Sequence, residues 1–422
     1  RGQRVNEKSL GITLSSIPVG DLTQDPRGRT TWTPDAHWES GGQHPRLGAA
    51  FLREPGRRRV AVGLPAWFEN LLPEDGSPLR RRLCALHGLR SGQSFALLSA
   101  VGRDLSGAVE AGYASARVPK RAGVRVGGDE GDAGLSVGAT GRLSPLAGMQ
   151  LKFSMSMSDD RLSLPAQGSG GQWIVKIPGK DYEDLPAVEA ATMSWAEHAG
   201  FDVPPHRVLS SDSLAGLPPS WHQGVLAAFA TARFDRRPDG SKVHQEDLCQ
   251  ALDVFPKDKY GDASPVIAFD GALRFVTDMC GEAVGREMAR RMGFVIASGN
   301  GDAHLKNWSL LWGETTRPGL TPCYDFVATI SLDALGWAVS GGPQMALRLG
   351  GERRFARVDR KALAAHTKNA GQAWAEEEIM AGIEGARRAW PQARESAPLR
   401  MREAIAKHWA SVPLSRTIGL AG

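Results

Sequence analysis

The chain has 422 residues, of which 41% are hydrophobic and 23% are charged, and its formal net charge is +5. This composition excludes an intrinsically disordered chain, and the length is sufficient for two or three domains with hydrophobic cores. No apolar run approaches the roughly 20 residues that a membrane-spanning helix needs. We therefore predict a globular cytoplasmic protein that makes no contact with a membrane.

The four cysteines lie far apart and form no C-x-x-C pair, which argues against a zinc site and against a disulfide framework. We predict that all four are buried thiols. The mild positive charge permits contact with nucleic acid or with an acidic partner without requiring it. No signal peptide is recognisable after Arg1, although the absence of a starting Met leaves open whether the N-terminus is native.

Changes in composition along the chain predict three domains. In the first, short strand-like segments alternate with Gly and Pro turns. A stretch rich in Gly and charge, residues 119–134, then has the composition of a linker. Gly-interrupted strands follow it, and the rest of the chain is mostly helical by its amphipathic pattern. The predicted domains are an N-terminal α/β domain, a strand-rich small lobe and a helical C-terminal lobe, at residues 1–118, 135–240 and 241–422.

One predicted helix of the N-terminal domain carries three consecutive arginines. Ser77 followed by Pro78 is typical of a helix start, because serine caps the first turn and proline fits its first position. An arginine run on a surface helix usually faces solvent. We therefore expect Arg80, Arg81 and Arg82 to form a solvated face rather than a binding patch.

Two predicted strands of the small lobe could form the roof of a nucleotide site. Residues 149–155 alternate apolar and polar side chains, and residues 173–177 are an apolar run that contains Lys176. A lysine in such a strand needs an anionic partner, which the α- and β-phosphates of ATP would provide; the alternative is an edge-strand lysine in solvent. Glu189, on a following helix, is a candidate partner of Lys176 or equally an exposed carboxylate. The preceding loop, residues 138–148, offers backbone donors but does not match G-x-G-x-x-G.

The next predicted strand, residues 226–234, ends where a chain leaving the small lobe would pass an adenine. The backbone of Ala232, Arg233 and Phe234 could pair with the edges of the base while the Phe234 ring packs on it. The alternative is an ordinary strand end with a basic flank.

Residues 299–307 contain Asp302 and, five residues later, Asn307, and a second aspartate, Asp325, follows a predicted strand. This spacing is that of a protein-kinase catalytic loop and its metal site. In such loops the first Asp accepts the proton of the attacking hydroxyl, while the Asn and the second Asp hold Mg²⁺. The alternative is a turn rich in Gly, Asn and Asp before an ordinary strand.

Seven motifs, in order along almost the whole chain, resemble the HipA family of bacterial serine/threonine kinases, the toxins of HipBA-type toxin–antitoxin systems. The motifs are W-F-E-N-L-L-P at 67–73, G-A-V at 107–109, A-G-M-Q-L-K at 147–152, R-F-D-R at 233–236, H-Q-E-D-L-C-Q at 244–250, G-D-A-H-L-K-N at 301–307 and Y-D at 324–325. Their number and order argue against a chance match.

The resemblance implies a role for individual residues. Asp302 would be the catalytic base, and Asn307 and Asp325 would be the Mg²⁺ ligands. The residues that the resemblance implies around ATP are Ala147, Gly148, Met149, Gln150, Leu151, Lys152, Lys176, Ala232, Arg233, Phe234, His304, Lys306 and Tyr324.

The chain departs from the family at one position. Family members have a serine three residues before the glycine of the G-x-Q-x-K motif, and its autophosphorylation ejects the loop and inactivates the kinase. Pro145 occupies that position here, and Ser144 lies one residue earlier. Either Ser144 is autophosphorylated with a shifted register, or this protein lacks the switch.

The resemblance implies an α+β protein, with a two-lobed protein-kinase-like fold, an added N-terminal α/β domain and a mostly helical C-terminal lobe. It implies an ATP- and Mg²⁺-dependent protein serine/threonine kinase that arrests translation and growth. The implied partners are a HipB-like DNA-binding antitoxin, operator DNA reached mainly through that antitoxin, and an aminoacyl-tRNA synthetase as substrate, glutamyl-tRNA synthetase being the best known.

Two alternatives to this function remain open. One is a catalytically idle subunit that holds an antitoxin on operator DNA, to which a basic surface would contribute phosphate contacts. The presence together of Asp302, Asn307, Asp325 and Lys176 argues against idleness. The other is a small-molecule kinase, which would use the same loop chemistry and differ only in its acceptor.

Overall fold

The computed structural model describes the greater part of the chain. The described residues are 7–40, 46–113, 150–158, 161–163, 171–179, 182–216, 224–262, 267–313, 317–332 and 342–417.

The N-terminal region is an antiparallel sheet covered by short helices. Its strands are β1 (Lys8–Leu14), β2 (Ile17–Gln24), β3 (Arg29–Pro34), β4 (Arg59–Val62) and β5 (Val109–Gly112), in the order β4-β3-β2-β1-β5. The helices are α1 (Ala36–Ser40), α2 (Ala49–Arg53), α3 (Ala66–Glu69), α4 (Pro78–Leu86) and α5 (Ser94–Val101). Alternation along β1 buries Leu10, Ile12 and Leu14 on one face, against which Trp67 and Phe68 of α3 pack.

Helix α4 begins as predicted but does not expose all three arginines. Ser77 Oγ accepts the Arg80 N–H at 3.2 Å, which confirms the predicted cap. The Arg80 side chain is only 1% exposed, and its guanidinium donates to Glu69 Oε1 at 2.8 Å and to Ser94 Oγ at 2.6 Å. The prediction of a solvated face is therefore wrong at Arg80, because its acceptors come from neighbouring helices that the run itself does not reveal. All four cysteines are free and buried, as predicted.

The second sheet contains β6 (Gln150–Ser158), β7 (Arg161–Ser163), β8 (Trp173–Pro178), β9 (His206–Ser210), β10 (Leu214–Ala215) and β11 (Ala227–Ala232). Their order is β10-β7-β6-β8-β11-β9. Strands β6 and β8 are antiparallel, with Lys152 directly opposite Lys176 and Leu151 opposite Ile177. Because directly paired residues share one face of a sheet, the two lysines lie on one face, and Leu151 and Ile177 pack in the core on the other.

The remainder of the chain is mostly helical. Its helices are α6 (Leu185–His198), α7 (Leu248–Ala251), α8 (Phe269–Cys280), α9 (Glu282–Ser298), α10 (Arg360–Ala370), α11 (Ala375–Ala393), α12 (Leu399–Ser411) and α13 (Pro413–Thr417). Its strands are β12 (His244–Asp247), β13 (Ser309–Trp312) and β14 (Gly319–Leu320), which form one sheet, and the hairpin of β15 (Gln344–Leu349) and β16 (Glu352–Arg354).

Helices α9 and α11 cross closely at two glycines in the centre of the helical core. A Cβ added at Gly293 would lie 2.1 Å from the Ile379 carbonyl oxygen, and one at Gly382 would lie 2.0 Å from that of Arg290. Both positions therefore require glycine. Helix α6 belongs to this core as well, since the Trp195 ring lies 4.5 Å from that of Trp390. The helix that carries Glu189 is thereby fixed against the large lobe.

Strand β12 joins the N-terminal region to the rest of the molecule. The buried Glu246 carboxylate accepts hydrogen bonds from the Trp67 indole at 2.9 Å, the Ala49 N–H at 2.7 Å and the Trp312 indole at 3.1 Å. Burial raises the pKa of Glu246 to about 7, against the opposing effect of these N–H donors. The Glu246 side chain thus connects α2 and α3 with strands β12 and β13. Strand β12 precedes the candidate catalytic loop in the chain, and β13 follows it directly.

Candidate active site

The loop after α9 brings Asp302 and Asn307 together. Helix α9 ends at Gly299, whose left-handed φ of 65° stops the helix. The Asp302 N–H donates to Asn300 Oδ1 at 3.0 Å, and Asn307 Nδ2 donates to the Asp302 carbonyl at 2.8 Å. Because Nδ2 makes this hydrogen bond, Oδ1 remains as the acceptor atom of the Asn307 side chain. The spacing of five residues between Asp302 and Asn307 therefore closes one turn.

Two residues that the sequence did not single out also hold this loop. Thr329 Oγ1 accepts the Gly301 N–H at 2.7 Å and donates to the Gly299 carbonyl at 3.1 Å. Tyr260 OH donates to Asp302 Oδ1 at 3.4 Å. Neither residue belongs to a recognisable motif, and their distance along the chain from the loop gave no signal of the contact.

Asp325 lies between the two lysines of the small-lobe sheet. Lys152 Nζ is 2.6 Å from Asp325 Oδ2, and Lys176 Nζ is 2.5 Å from Asp325 Oδ1. Because the lysines are opposite each other on β6 and β8, their like charges would repel without an anion between them. The Asp325 backbone has a φ of 54°, a left-handed conformation that residues other than glycine rarely adopt.

Lys176 has a second carboxylate partner, Glu189 of α6. The Lys176 ammonium forms an ion pair with Glu189, and Gln150 Nε2 donates to Glu189 Oε2 at 3.2 Å. Lys176 and Glu189 are both buried, whereas the Lys152 side chain is 43% exposed. The structure thus brings together Gln150, Lys152, Lys176, Glu189 and Asp325, in a cluster of two ammonium groups and two carboxylates.

The charged forms of this cluster stabilise one another. Burial lowers the pKa of Lys176, but Asp325 and Glu189 outweigh that effect and raise it above its ordinary value. Burial likewise raises the pKa of Asp325, but Lys152 and Lys176 outweigh it and hold that pKa below its usual range. Both groups are therefore ionised at neutral pH, which is the state in which a lysine binds phosphate and an aspartate binds a metal ion.

The Lys306 ammonium, which was expected at the nucleotide, makes other contacts. It donates to Asp247 Oδ2 at 2.8 Å and to both the carbonyl and Oδ1 of Asn70 at 3.0 Å. Its own carbonyl accepts a hydrogen bond from Tyr324 OH at 2.9 Å. Tyr324 OH also lies 2.5 Å from Ser309 Oγ, so that this tyrosine links the loop to β13.

His304 is buried next to the Tyr260 ring, with the ring centroids 5.4 Å apart. Burial, and after it the charges of Lys259 and Lys306, lowers its pKa well below the ordinary value, so the imidazole is neutral at pH 7. Within the described part of the chain, His304 Nδ1 has no hydrogen-bond partner. A buried polar atom of this kind is suited to a hydrogen bond from or to a ligand.

Two backbone N–H groups of the predicted adenine hinge donate hydrogen bonds to other parts of the protein. The Ala232 N–H donates to the Pro205 carbonyl and the Arg233 N–H to the Gln172 carbonyl, each at 2.8 Å. The Arg233 guanidinium turns toward the N-terminal region, where it donates to Asp104 Oδ1 at 2.9 Å. The Phe234 ring lies 5.7 Å from the Tyr324 ring. The Phe234 side chain thus meets another predicted site residue, Tyr324.

Some predicted residues cannot be located at the site. Ala147, Gly148, Met149 and the serine proposed for autophosphorylation, Ser144, lie outside the described residues. The Leu151 side chain is in the core of the sheet, which leaves only its backbone for a ligand.

The donors at the site fit a magnesium ion better than a transition metal. The described residues contain no cluster of three or more His, Cys, Asp or Glu side chains that could hold a metal. The candidate ligands are the Asn307 amide oxygen and the Asp325 carboxylate, which are hard oxygen donors. Mg²⁺ prefers such donors and is usually held by one or two carboxylates together with substrate phosphates rather than by a complete protein cage.

Taken together, the fold is α+β, with a strand-rich small lobe, a helical large lobe and an additional N-terminal region. Two family models match the chain: the HipA N-terminal domain over residues 10–112 and the HipA-like C-terminal domain over residues 144–390. The chain belongs to the HipA family.

Individual relatives agree with this assignment. The candidate kinase Y4dM of Sinorhizobium fredii is 36% identical over 330 residues, which cover 76% of this chain and 77% of that protein. The candidate kinase Y4mE of the same organism is 29% identical over 392 residues and 86% of both chains. The HipA chain in the Shewanella oneidensis complex of HipA, HipB and operator DNA superposes with a TM-score of 0.70, at 22% identity and over 94% of both chains. These findings support a HipA-like kinase with this fold. No helix in the described ranges is long and apolar enough to span a membrane.

Proposed function

We propose that this HipA-family protein is an ATP- and Mg²⁺-dependent protein serine/threonine kinase and the toxin of a toxin–antitoxin module. The observation that carries the proposal is the position of Lys152 and Lys176, side by side on one face of the small-lobe sheet and both in contact with Asp325. Two adjacent ammonium groups are suited to bind the phosphates of a nucleotide, and an aspartate at the same point is suited to hold the accompanying metal ion.

Asp302 would act as the general base. Its carboxylate would accept the proton of a serine or threonine hydroxyl as the hydroxyl oxygen attacks the γ-phosphorus and ADP leaves. The fixed loop supports this role, because the Asn307 amide, the Asn300 side chain and Tyr260 all hydrogen-bond to Asp302. A base held in one orientation loses less entropy in the transition state.

The two lysines would have different tasks. Lys176 is buried and keeps Glu189 as a partner, so it would stay in place when the nucleotide arrives. Lys152 is partly exposed and, among the described residues, its ammonium contacts only Asp325, so it would transfer readily from that carboxylate to a phosphate. This exchange would release an Asp325 oxygen as a metal ligand.

Asn307 Oδ1 and the Asp325 carboxylate would hold Mg²⁺. When bound, Mg²⁺ neutralises negative charge on the β- and γ-phosphates and orients them. The chain's contribution is to keep both ligands in position, Asn307 through its hydrogen bond to the Asp302 carbonyl and Asp325 through its left-handed backbone.

The proposed partners are a HipB-like antitoxin and an aminoacyl-tRNA synthetase. Because the related Shewanella protein is found with HipB and operator DNA, we propose a HipB-like antitoxin as the partner of this chain, with operator DNA reached mainly through that antitoxin. As the substrate we propose an aminoacyl-tRNA synthetase, either glutamyl-tRNA synthetase or another, whose phosphorylation would stop translation and growth.

The test is transfer of phosphate from γ-labelled ATP in a bacterial lysate, comparing the wild type with Asp302→Asn. We expect the wild type to label a protein on serine or threonine, which mass spectrometry then identifies, and the variant not to label it. Label found only in small molecules would indicate a small-molecule kinase. No transfer by the wild type, with or without Mg²⁺, would indicate the catalytically idle subunit and overturn the proposal.

A further inference from the structure

We propose that Lys306 is a positioning residue that fastens the catalytic loop to the N-terminal domain, and that it is not a nucleotide ligand; the catalytic part of this inference rests on the kinase function proposed above. Its consequence is that the N-terminal domain is a structural component of the active site. The residues involved are far apart in the sequence, since Lys306 and Asn70 are separated by 236 positions.

The Lys306 ammonium uses all of its hydrogen-bond donors within the protein. An ammonium has three donors. Lys306 Nζ lies 2.8 Å from Asp247 Oδ2 and 3.0 Å from each of the two oxygens of Asn70. The contact with Asp247 is an ion pair. A lysine that has three acceptors within the protein would have to give them up in order to bind a phosphate.

The acceptors themselves are fixed. Asn70 Nδ2 donates to the Ala66 carbonyl at 2.9 Å, within α3, and to the Val254 carbonyl at 2.8 Å, outside the N-terminal domain. Asp247 caps α7, because its Oδ1 accepts the Gln250 N–H at 2.8 Å while Oδ2 accepts from Lys306. The Lys306 ammonium therefore binds two residues that are themselves held in place, Asn70 on the N-terminal domain and Asp247 at the end of β12.

The Lys306 backbone transmits this attachment to the candidate catalytic groups. Its carbonyl accepts from Tyr324 OH, and the next residue is Asn307, whose amide nitrogen holds the Asp302 carbonyl. A shift of Lys306 would therefore move Asn307 and Asp302 together. Asn70 belongs to the W-F-E-N-L-L-P motif and Asp247 to the H-Q-E-D-L-C-Q motif. The kinase chemistry assigns no role to either residue. Holding Lys306 gives both of them a role.

The experiment measures hydrogen–deuterium exchange of the catalytic loop, in which the Leu305, Asn307 and Trp308 amides are hydrogen-bonded. We expect Lys306→Met to raise exchange of these amides by about tenfold or more, since it removes the Lys306 partner of both Asp247 and Asn70 in a partly buried site. Asn70→Ala keeps the pair with Asp247 and should raise exchange at the same amides by a smaller factor. Lys306→Arg, which keeps the charge, should restore most of the protection.

Lys242→Met is the matched control. Lys242 also joins the N-terminal domain to the rest of the chain, donating to Glu110 Oε1 at 2.7 Å and to the Arg103 carbonyl at 2.6 Å, and its side chain is 17% exposed, as is that of Lys306. Its loss should leave exchange of the catalytic loop unchanged. If Lys306→Met and Asn70→Ala also left it unchanged, the inference would be overturned, whatever the protein's activity.

The affinity for ATP distinguishes a positioning role of Lys306 from direct binding of the nucleotide by Lys306. For Lys306→Met we expect the Kd for ATP to stay within about twofold of the wild type while kcat falls by about a hundredfold, as misplacement of catalytic groups by about 1 Å can cause. A large rise in the Kd for ATP with normal loop exchange would make Lys306 a nucleotide ligand and refute the proposal. If the wild type transferred no phosphate, the proposed function would fail, while the exchange measurement would still decide whether Lys306 holds the loop.

Discussion

Glu189→Gln tests whether the buried charge cluster behaves as the structure requires. The cluster contains the two ammonium groups of Lys152 and Lys176 and the two carboxylates of Asp325 and Glu189, so it is neutral as a whole. The substitution keeps the shape of the side chain but leaves one uncompensated positive charge. Lys176 is only 3% exposed, so water cannot replace the carboxylate partner that Lys176 loses. Breaking a buried pair costs about 3–5 kcal/mol.

We expect a loss of about 2–3 kcal/mol in the free energy of unfolding, below the full cost of a broken pair because Lys176 keeps its contact with Asp325. The assay is urea denaturation at pH 7, with Glu197→Gln as the control. Glu197 lies on the same helix and is exposed, so the same chemical change there should alter stability by no more than about 0.5 kcal/mol. Equal losses in the two variants would refute the reasoning about the cluster.

Two further predictions concern Glu246 and the nucleotide. Glu246 has a pKa raised from 4.5 to about 7 in the folded protein, so the stability it contributes is present below about pH 4.5 and is lost as the pH rises through 7. The free energy of unfolding of the wild type minus that of Glu246→Gln should therefore fall by up to about 3 kcal/mol between pH 5 and pH 8, measured by urea denaturation; a constant difference would contradict the raised pKa. Mg²⁺-ATP at about 100 times its Kd should stabilise the wild type by roughly 2.7 kcal/mol in thermal denaturation, and Asp325→Asn should lose most of the Mg²⁺-dependent part. Stabilisation of Asp325→Asn equal to that of the wild type would exclude Asp325 as the metal ligand.

Local patterns in the sequence were sufficient for much of the fold. The apolar runs around Lys152 and Lys176 predicted their strands, because alternation and β-rich composition are properties of a few consecutive residues. The helix predicted to carry Glu189 is α6, which spans Leu185–His198. The turn from Asp302 to Asn307 follows from a spacing of five residues, which is short enough for sequence to specify.

Contacts between distant segments could not be read in this way. Arg80 is buried because Glu69 and Ser94 come from two neighbouring helices, and nothing in the arginine run records their approach. The family resemblance implies Lys306 near the nucleotide, and no motif indicates the contacts that its ammonium makes with Asn70 and Asp247. Position in a motif fixes where the backbone runs, but the direction of a long side chain depends on which acceptors the fold brings near it, here Asn70 and Asp247.

The most direct test of the central claim is a single-turnover measurement of γ-phosphate transfer from Mg²⁺-ATP by the wild type and by Asp302→Asn, with the ATP affinity of both determined in parallel. If Asp302 is the base, the variant should bind ATP as tightly as the wild type and transfer phosphate more slowly by about two to four orders of magnitude. Equal rates for the two proteins, at equal ATP affinity and equal thermal stability, would remove Asp302 from the mechanism and contradict the proposed function of this site.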